Sequence, residues 1–591
     1  MLGRQLQCRA ALVLSLGVVA SACTDRSVTA GNEPDATAGP QSTPLDVPSL
    51  RIDLPRGRRP WDGDATALVA AIRAAGGNAV VAFKNVESKR LFDAAGLRAA
   101  INRRSVDRGL DLLRSRGIEV TGLLRSIGAA QVRFADPEAA VSLRAHALVD
   151  FIEPRQQLNL TSVPAAVAGV AGGPGLAAFA TPTIQGSATA DLLPWGVSMI
   201  RADQVWSVTR GDNVKVMLLV PGGPAAHNDY ATIDPNRCGG ASWHVCDGWE
   251  GTGTFMVGQL GSQQNGWGIV GVAPGLPTEN IYAWNPCFQS SQDPTAVVCY
   301  DDGMAQGLDA AVLIGAKVFN FGNFAWHATD SPTLSSAIAR AWSANVVMLA
   351  SVGTDNAYTN DVRPAIYPNV IGVSGIRMAG DFASSSSCTN ANGGPFGSSY
   401  GPLVDVAAPF EGWGTWPTNS YQYFCGGANT VDYATGVVML IRSANPTWTA
   451  QQVVDRLFAT AKECGPAGRD DQYGYGIVDA AAAVGVAARQ SCVPPLQVTA
   501  DAPGLVRIKG TYQLSGSASQ PVSSWLWERS DDGGPFTFWS NSQNTAFVAY
   551  AGNYTIAWRL TATRASDGTT ATTSAETRVC IPYSASTCQA F

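Results

Sequence analysis

Residues 425–440 read C-G-G-A-N-T-V-D-Y-A-T-G-V-V-M-L, and this stretch decides the fold. It continues through I-R-S-A-N-P-T-W-T into A-Q-Q-V-V-D-R-L-F-A-T-A. The Asn-Pro step predicts a turn, and the spacing of apolar residues after it predicts an amphipathic helix. Residue 428 is an alanine, whose methyl group cannot attack a carbonyl carbon.

The same stretch resembles the subtilase pattern G-T-S-M-A-A-P-H-V-A-G-V-A-A-L, whose serine is the nucleophile of a serine protease. Alignment on Gly436 puts Ala428 at the serine position. The resemblance implies an α/β fold of the subtilisin type, built on a doubly wound parallel sheet. It also implies two further catalytic positions, which lie upstream in the chain.

The segment from Pro194 to Gly222 is similar to the opening of a subtilase domain, which ends its first buried strand in D-[ST]-G. Here the strand V-K-V-M-L-L is followed by Val220-Pro221-Gly222. The resemblance thus places Val220 where an aspartate would orient the catalytic histidine. Valine has no carboxylate to hold an imidazole or stabilise an imidazolium.

Residues 251–258, G-T-G-T-F-M-V-G, are similar to the family segment G-H-G-T-H-V-A-G. Alignment puts Thr252 at the histidine position, and a threonine hydroxyl cannot act as a general base near neutral pH. The run N-V-V-M-L-A-S-V-G-T-D-N resembles the strand that ends in the oxyanion-binding asparagine, with Thr354 in that place. Asn356 would supply the amide only if the loop were shifted by two residues.

The sequence contains four histidines, and none precedes a Gly-Thr pair. His227 belongs to His227-x-Asp229-Tyr230, which resembles a structural H-P-D-L loop of subtilases. His244 lies between Cys238 and Cys246 and is predicted to be a constrained loop residue.

The segment G-L-D-A-A-V-L-I-G-A-K-V-F-N-F-G-N-F resembles the helix and strand that lead to the subtilase substrate edge S-L-G. The residues Gly322, Asn323 and Phe324 replace that edge, and a bulky phenylalanine stands where glycine would leave room. We therefore expect an altered peptide-binding groove, although a free strand edge can still pair with an extended chain.

Framework motifs match those of the family over a subtilase-like domain at 194–490. The four positions aligned with the family's catalytic groups do not match: Val220, Thr252, Thr354 and Ala428. The sequence predicts an exported, proteolytically inactive homologue that binds or regulates other molecules at the cell surface, so whether it is an enzyme stays uncertain. The alternatives are an active secreted serine endopeptidase that uses non-standard groups, and a structural envelope protein. We expect a peptide or protein ligand, and we expect neither a metal site nor a cofactor. Structural calcium is left open.

Residues 1–23 combine a basic start, a short apolar run and small residues before Cys23, as in a bacterial lipoprotein-type secretory signal. Lipidation of Cys23 and ordinary signal cleavage nearby are both compatible with this pattern. The protein would then be an envelope lipoprotein or secreted, with membrane contact only through a lipid anchor, and 24–77 would form a tether and lead-in.

Three further segments flank the subtilase-like domain. Residues 78–160 alternate strand-like and helix-like runs and resemble the small α+β propeptide of subtilases. Residues 161–193 form a linker rich in alanine, glycine and proline. Residues 495–591 contain short alternating strands split by glycine turns, which indicates an all-β module similar to immunoglobulin-like or PKD-like sandwiches.

The chain has 591 residues, a formal net charge of -6 and 15% charged residues. Its length predicts several domains, and the absence of basic clusters over the main body argues against a nucleic-acid partner. Export permits disulfides, and near neighbours are the expected partners. The predicted pairs are Cys238 with Cys246, Cys287 with Cys299, Cys388 with Cys425, Cys464 with Cys492, and Cys580 with Cys588.

Overall fold

The computed structural model describes residues 59–84, 103–158, 191–230, 233–240, 251–289, 297–322, 324–327, 330–384, 388–389, 395–492, 496–550, 554–565 and 570–580. All of them belong to one compact unit, Val47–Phe591. The predicted signal with Cys23, most of the predicted linker, His244 and Asn323 lie outside the described residues. Within the described ranges, no helix is both long and apolar enough to cross a membrane.

The N-terminal domain, residues 59–158, is a four-stranded antiparallel sheet packed against helices, in strand order β2-β3-β1-β4. Its elements are α1 (Ala65–Ala74), β1 (Asn78–Phe83), α2 (Arg103–Ser115), β2 (Glu119–Leu124), β3 (Ala129–Arg133), α3 (Ala139–Arg144) and β4 (Val149–Pro154). The short strand β5 (Gln157–Leu158) follows.

The packed domain begins earlier than the predicted boundary at residue 78. Helix α1 lies within the predicted lead-in 24–77, and its Leu68 and Ile72 belong to the same core as Val81 of β1. The side chain of Asp64 caps the helix by accepting the backbone N–H groups of Thr66 and Ala67. The apolar face of α1 therefore makes it part of the domain rather than of a tether.

The central domain, residues 191–492, alternates strands and helices. In chain order they are α4 (Trp195–Met199), β6 (Val216–Leu219), β7 (Cys238–Gly240), α5 (Thr252–Gly261), β8 (Ile281–Asn285), β9 (Cys287–Gln289), β10 (Val297–Tyr300), α6 (Asp301–Ile314), β11 (Val318–Asn320), α7 (Pro332–Ser343), β12 (Val347–Ser351), β13 (Val370–Ile376), β14 (Cys388–Thr389), β15 (Pro395–Phe396), β16 (Val406–Pro409), β17 (Glu411–Trp416), β18 (Ser420–Cys425), α8 (Gly427–Ala444), α9 (Ala450–Thr460) and α10 (Ala480–Val484).

Seven of these strands form one parallel sheet in the order β16-β13-β12-β11-β6-β8-β7. Successive side chains of a strand point to opposite faces. Val216 and Leu218 pack in the core that contains α8 and α9, whereas Met217 and Leu219 pack in the core that contains α6 and α7. The sheet is therefore covered by helices on both faces, as the doubly wound prediction requires.

Helices α5 and α8 are the most deeply buried helices around the site. Every residue of α5 is buried, and so are residues 427–442 of α8. Close contact needs glycine: a Cβ atom on Gly258 would lie 2.2 Å from the Thr415 Oγ1 atom of β17. The amphipathic helix predicted after the Asn-Pro turn is α9, which begins with a capping box made by Thr449 and Gln452.

Two of the five predicted disulfides form between described residues, Cys287–Cys299 and Cys464–Cys492. Cys238, Cys425 and Cys580 are disulfide-bonded as well. Their predicted partners are Cys246, Cys388 and Cys588; Cys246 and Cys588 lie outside the described residues, as does the side chain of Cys388. Those three pairings stay predictions.

The C-terminal module, residues 496–580, consists of two sheets, with orders β19-β21-β24 and β20-β26-β25-β22-β23. Its strands are β19 (Val498–Asp501), β20 (Leu505–Arg507), β21 (Thr511–Ala518), β22 (Val522–Asp531), β23 (Thr537–Ser540), β24 (Asn544–Val548), β25 (Tyr554–Arg564) and β26 (Thr570–Cys580). Trp527, Phe547 and Trp558 share the core, and the last two rings are 4.9 Å apart. The two sheets thus enclose one apolar core between them.

Candidate active site

The carboxyl ends of three neighbouring parallel strands define the site. Val220 directly follows β6, Gly322 follows β11 after one residue, and Thr354 follows β12 after two. Because β6, β11 and β12 are adjacent and parallel, these residues reach the same edge of the sheet. This edge is where ligands bind in open α/β folds.

Helices α5 and α8 bring the other two predicted positions to this edge. A Cβ atom on Gly253, beside Thr252, would lie 2.4 Å from the carbonyl oxygen of Gly222. A Cβ atom on Gly427, beside Ala428, would lie 3.6 Å from Cγ2 of Thr354. The start of α5 therefore contacts the loop that follows β6, and the start of α8 contacts the loop that follows β12.

The two helices are also joined to each other next to Ala428. Gln259 Nε2 of α5 donates to Asn429 Oδ1 of α8 over 2.6 Å, and Asn429 Nδ2 donates to the carbonyl oxygen of Phe424 over 3.1 Å. These bonds fix the first turn of α8 against α5. Asn429 was missed at the sequence level because its partner is 170 residues away.

The four positions that the alignment assigns to the catalytic groups are all buried. Val220 is 0% exposed, Thr354 3%, Ala428 6% and Thr252 7%. Their side chains are two hydroxyls and two hydrocarbons, none of which accepts a proton near neutral pH. The site can offer backbone amides at the starts of α5 and α8, but these four side chains provide neither a nucleophile with a base nor a base alone.

His227 and His327 form hydrogen bonds away from the aligned catalytic positions. His227 accepts the backbone N–H of Asp229 at Nδ1 over 3.1 Å, so Nε2 carries the proton and donates to the carbonyl oxygen of Ser420 over 3.0 Å. Burial lowers the pKa of His227 and keeps the ring neutral. His327 is exposed and its Nδ1 bonds to the carbonyl oxygen of Asp361. His227 therefore holds its loop in place, as the H-P-D-L resemblance implies.

One buried serine lies close to Ala428 and was not a candidate at the sequence level. A Cβ atom on Gly427 would lie 2.2 Å from Oγ of Ser351, the last residue of β12. Ser351 is 1% exposed, and its Oγ accepts the N–H of Gly353 over 3.1 Å. Among the described residues, no imidazole bonds to this hydroxyl, so the structure gives it no histidine base.

The buried carboxyl group of Asp432 holds the segment of the predicted binding groove in place through Asn320. Asn320 Nδ2 donates to Asp432 Oδ1 over 2.7 Å, and Asn320 Oδ1 accepts the N–H of Gly322 over 2.6 Å. Burial raises the pKa of Asp432 well above its usual range, which favours the neutral carboxyl group. Asp432 thus fixes Asn320, and through it the turn at Gly322.

The turn at Gly322 changes what the predicted groove can offer. Gly322 has a φ of 60°, and its N–H is taken by the Asn320 side chain. The N–H of Phe324 donates to the carbonyl oxygen of Phe321 over 3.2 Å, and the Phe324 ring is buried. Two donors of the Gly322–Phe324 segment are therefore used within the turn and are not free to pair with a ligand.

The edge of another strand, β10, already carries an extended segment of the chain. Strand β5 pairs antiparallel with β10, with Leu158 opposite Cys299 and Gln157 opposite Tyr300. On its other side β10 pairs with β9, to which the Cys287–Cys299 disulfide also joins it. Leu158 is buried in the core beside both cysteines. The tail of the N-terminal domain thus lies on β10 as an added strand.

Comparison with known proteins identifies the family. Residues 225–476 match the Subtilase family, peptidase S8. Subtilisin from Bacillus pumilus is 30% identical over 305 residues, which span 50% of this chain and 99% of the subtilisin. Subtilisin DY from Bacillus licheniformis is 29% identical over 304 residues, with the same coverage of 50% and 99%.

Among solved structures, fervidolysin from Fervidobacterium pennivorans, a keratinolytic enzyme related to subtilisin, aligns with a TM-score of 0.49 and 21% identity over 82% of this chain and 70% of its own. The match to nearly the full length of the Bacillus pumilus subtilisin is the one that decides the family. This chain belongs to the subtilase family and has its subtilisin-like α/β fold with a parallel sheet.

Proposed function

We propose that this subtilase is an exported homologue without protease chemistry, which acts as a binding or regulatory protein at the cell surface. One observation carries the proposal: Val220, Thr252, Thr354 and Ala428, the residues aligned with the catalytic groups, meet at one edge of the sheet and are buried. Amide hydrolysis by this family's chemistry needs a nucleophile and a base at these positions.

The N-terminal domain supports a regulatory role. We infer that it is a subtilase-type propeptide, because it is a small α+β domain that directly precedes the linker and sends β5 onto β10. Self-cleavage in the linker would need the missing nucleophile. The domain therefore stays covalently attached, which keeps its tail available to β10.

The ligand that fits this arrangement is an extended peptide. Strand β10 accepts an added antiparallel strand, and main-chain pairing of this kind needs no particular side chain on the ligand. A peptide or protein ligand at β10 would have to displace Gln157 and Leu158. We therefore expect tighter binding once the segment 49–190 is removed.

Two further segments of the chain, the C-terminal module and the N-terminal signal, are compatible with a location at the cell surface. The two-sheet C-terminal module is in our proposal an immunoglobulin-like or PKD-like sandwich that serves adhesion or spacing. The signal with Cys23 would attach the protein to the envelope through a lipid or release it. No nucleic-acid partner, metal or cofactor enters the proposal.

Labelling with a fluorophosphonate tests the proposal, because the reagent modifies only an activated serine. We expect no label on the purified protein under conditions that label an active subtilisin completely. The Ser351→Ala variant is the matched control for Ser351, the buried serine close to Gly427. Label that appears on the native chain and is lost in that variant would establish the competing function, an active serine endopeptidase with a relocated nucleophile.

A further inference from the structure

The N-terminal domain docks on α6 and α7 largely through carboxylate groups of the interface. Asp309 of α6 accepts the backbone N–H groups of Arg125 and Ser126. Asp302, also on α6, accepts Gln131 Nε2 over 2.7 Å and forms an ion pair of 2.9 Å with Arg155. These contacts join the two domains and give each of the two aspartates a partner from the N-terminal domain.

Two other carboxyl groups of the interface, Glu153 and Asp301, lie together and form no ion pair like that of Asp302 with Arg155 among the described residues. Glu153 of β4 accepts the N–H of Thr333 over 2.8 Å as well as the Thr333 hydroxyl, at the start of α7. Asp301, the first residue of α6, accepts the Ser331 hydroxyl over 2.8 Å. Gln156 bonds to both groups, through its side-chain amide to Glu153 over 3.0 Å and through its backbone N–H to Asp301 over 3.1 Å.

Glu153 and Asp301 are almost completely buried, with 1% and 2% of their surfaces exposed. Two neighbouring carboxyl groups cannot both be charged in such a place without a large desolvation and repulsion cost. Burial raises the pKa of Glu153 to about 7. Burial, together with the charges of Glu153 and Asp302, raises the pKa of Asp301 well above its usual range. Near neutral pH the docked pair therefore holds a proton.

The cations near the pair form ion pairs with other carboxylates, although the charge of Arg59 still opposes the raised pKa of Glu153. Arg155 pairs with Asp302, Arg59 pairs with Asp62 over 2.7 Å, and Arg363 pairs with Asp361 over 2.5 Å. From the side of α7, Asp330 and the hydroxyl of Tyr367 face the same region, and Tyr367 accepts the N–H of Ser331. Among the described residues, no cation forms an ion pair with Glu153 or Asp301.

We propose that docking of the N-terminal domain captures a proton shared by Glu153 and Asp301, so that the domain is held tightly in acidic solution and released as the pH rises. The proposal concerns the domain contact alone and does not depend on whether the protein is a protease. Release of the domain at higher pH would expose β10 and the faces of α6 and α7.

The direction of the pH dependence of docking follows from proton linkage. An acid whose pKa is higher in the docked state holds its proton more tightly there, so docking is fully favoured below the undocked pKa and is weakened as the pH passes the docked pKa. With a docked pKa of about 7 for Glu153 and an ordinary value when undocked, the docking equilibrium falls about 30-fold between about pH 5.5 and about pH 8.

Amide hydrogen exchange on the full-length protein measures this equilibrium. Peptides that cover 149–158 and 330–336 report the contact, because the N–H groups of Gln156 and Thr333 are buried in it. After correction for the intrinsic rate, we expect their protection to fall about 30-fold from about pH 5.5 to about pH 8. Peptides from β25 in the C-terminal module should keep the same protection throughout.

Glu153→Gln retains an acceptor for Thr333 but cannot titrate, so it should remove most of the pH dependence. Asp301→Asn is the second variant, should the first fail to dock at any pH. Glu138→Gln alters an exposed carboxylate of the same domain, 66% accessible, and should behave like the native protein. Protection that does not change with pH in the native protein, or a native pH profile in both Glu153→Gln and Asp301→Asn, would overturn the proposal.

Discussion

Arg201 and Asp479 form an ion pair that joins the segment after α4 to the start of α10, the last helix of the central domain. Arg201 Nε donates to Asp479 Oδ1 over 2.9 Å, a second guanidinium N–H bonds to Oδ2, and Arg201 also donates to the carbonyl oxygen of Ala488. Asp479 in turn caps α10 by accepting the N–H of Ala482. Both side chains are buried, so neither can exchange its partner for water.

Arg201→Ala leaves the Asp479 carboxylate buried without a cation. We expect it to lower the free energy of unfolding of the central domain by about 3 to 5 kcal/mol. Urea titration followed by tryptophan fluorescence measures the change. The matched control is Arg114→Ala, which breaks an exposed pair with Asp111 and should cost less than about 0.5 kcal/mol. A loss below about 1 kcal/mol for Arg201→Ala would contradict this account of the pair.

At the residue scale, the sequence was informative wherever a position lies inside a continuous motif. Ala428 and Thr252 could be assigned because glycines at fixed spacing flank each of them. Ser351 beside Gly427 and the bond from Asn320 to Asp432 could not be predicted, since they depend on contacts between segments far apart in the chain. The turn at Gly322, whose N–H bonds to the Asn320 side chain, was missed for the same reason.

At the element scale, α5 is held between the sheet and the β17–β18 hairpin. The Phe255 ring of α5 contacts Phe424 of β18 at 4.9 Å, and a Cβ atom on Gly251 would lie 2.4 Å from the ring of Trp416. The hairpin thus covers the start of the helix, where Thr252 lies. This cover explains part of the low exposure of the site.

Gly258→Ala tests this packing. Its Cβ atom would meet Oγ1 and the backbone nitrogen of Thr415 at 2.2 and 2.6 Å. Alanine favours helices, but here we expect overpacking to dominate and to lower the free energy of unfolding by about 1 to 3 kcal/mol. Gly504→Ala is the control, because nothing lies within 4 Å of its added Cβ atom. An unchanged or raised stability for Gly258→Ala would show that the hairpin can move away.

The sheet and its helices were predictable because hydrophobic patterns repeat within each element. Strand β6 reads V-M-L-L, as expected for a strand buried on both faces, and α9 shows the amphipathic spacing predicted for it. Helix α1 lies within 24–77, the stretch predicted to be a tether and lead-in, ahead of the first strand-like run. Its contact with β1 through Leu68 and Ile72 is tertiary and leaves no local signal.

At the scale of the whole molecule, we expect the N-terminal domain to remain covalently attached. No group at Ala428 can cut the linker, although a foreign protease could. Intact-mass measurement after expression in a protease-deficient host should give a chain that still contains residues 59–158. A mature chain beginning near Ala190 in that host would mean that the protein cleaves itself.

The arrangement of whole domains was foreseen only in part. The order of a small α+β domain, a parallel α/β domain and an all-β module follows from local patterns along the sequence. The carboxyl groups between the first two domains could not be foreseen, since Glu153 and Asp301 are 148 positions apart in the numbering and meet only through docking.

Turnover of an amide substrate by the purified native protein tests the central claim most directly. The matched comparison is the triple variant Val220→Asp, Thr252→His and Ala428→Ser, which places the family's three catalytic side chains on the same scaffold. We expect no casein or small amide cleavage by the native protein above buffer, because Ala428, Thr252 and Val220 cannot act as nucleophile, base and orienting acid. Cleavage by the native protein that survives repurification and scales with its concentration would contradict the account.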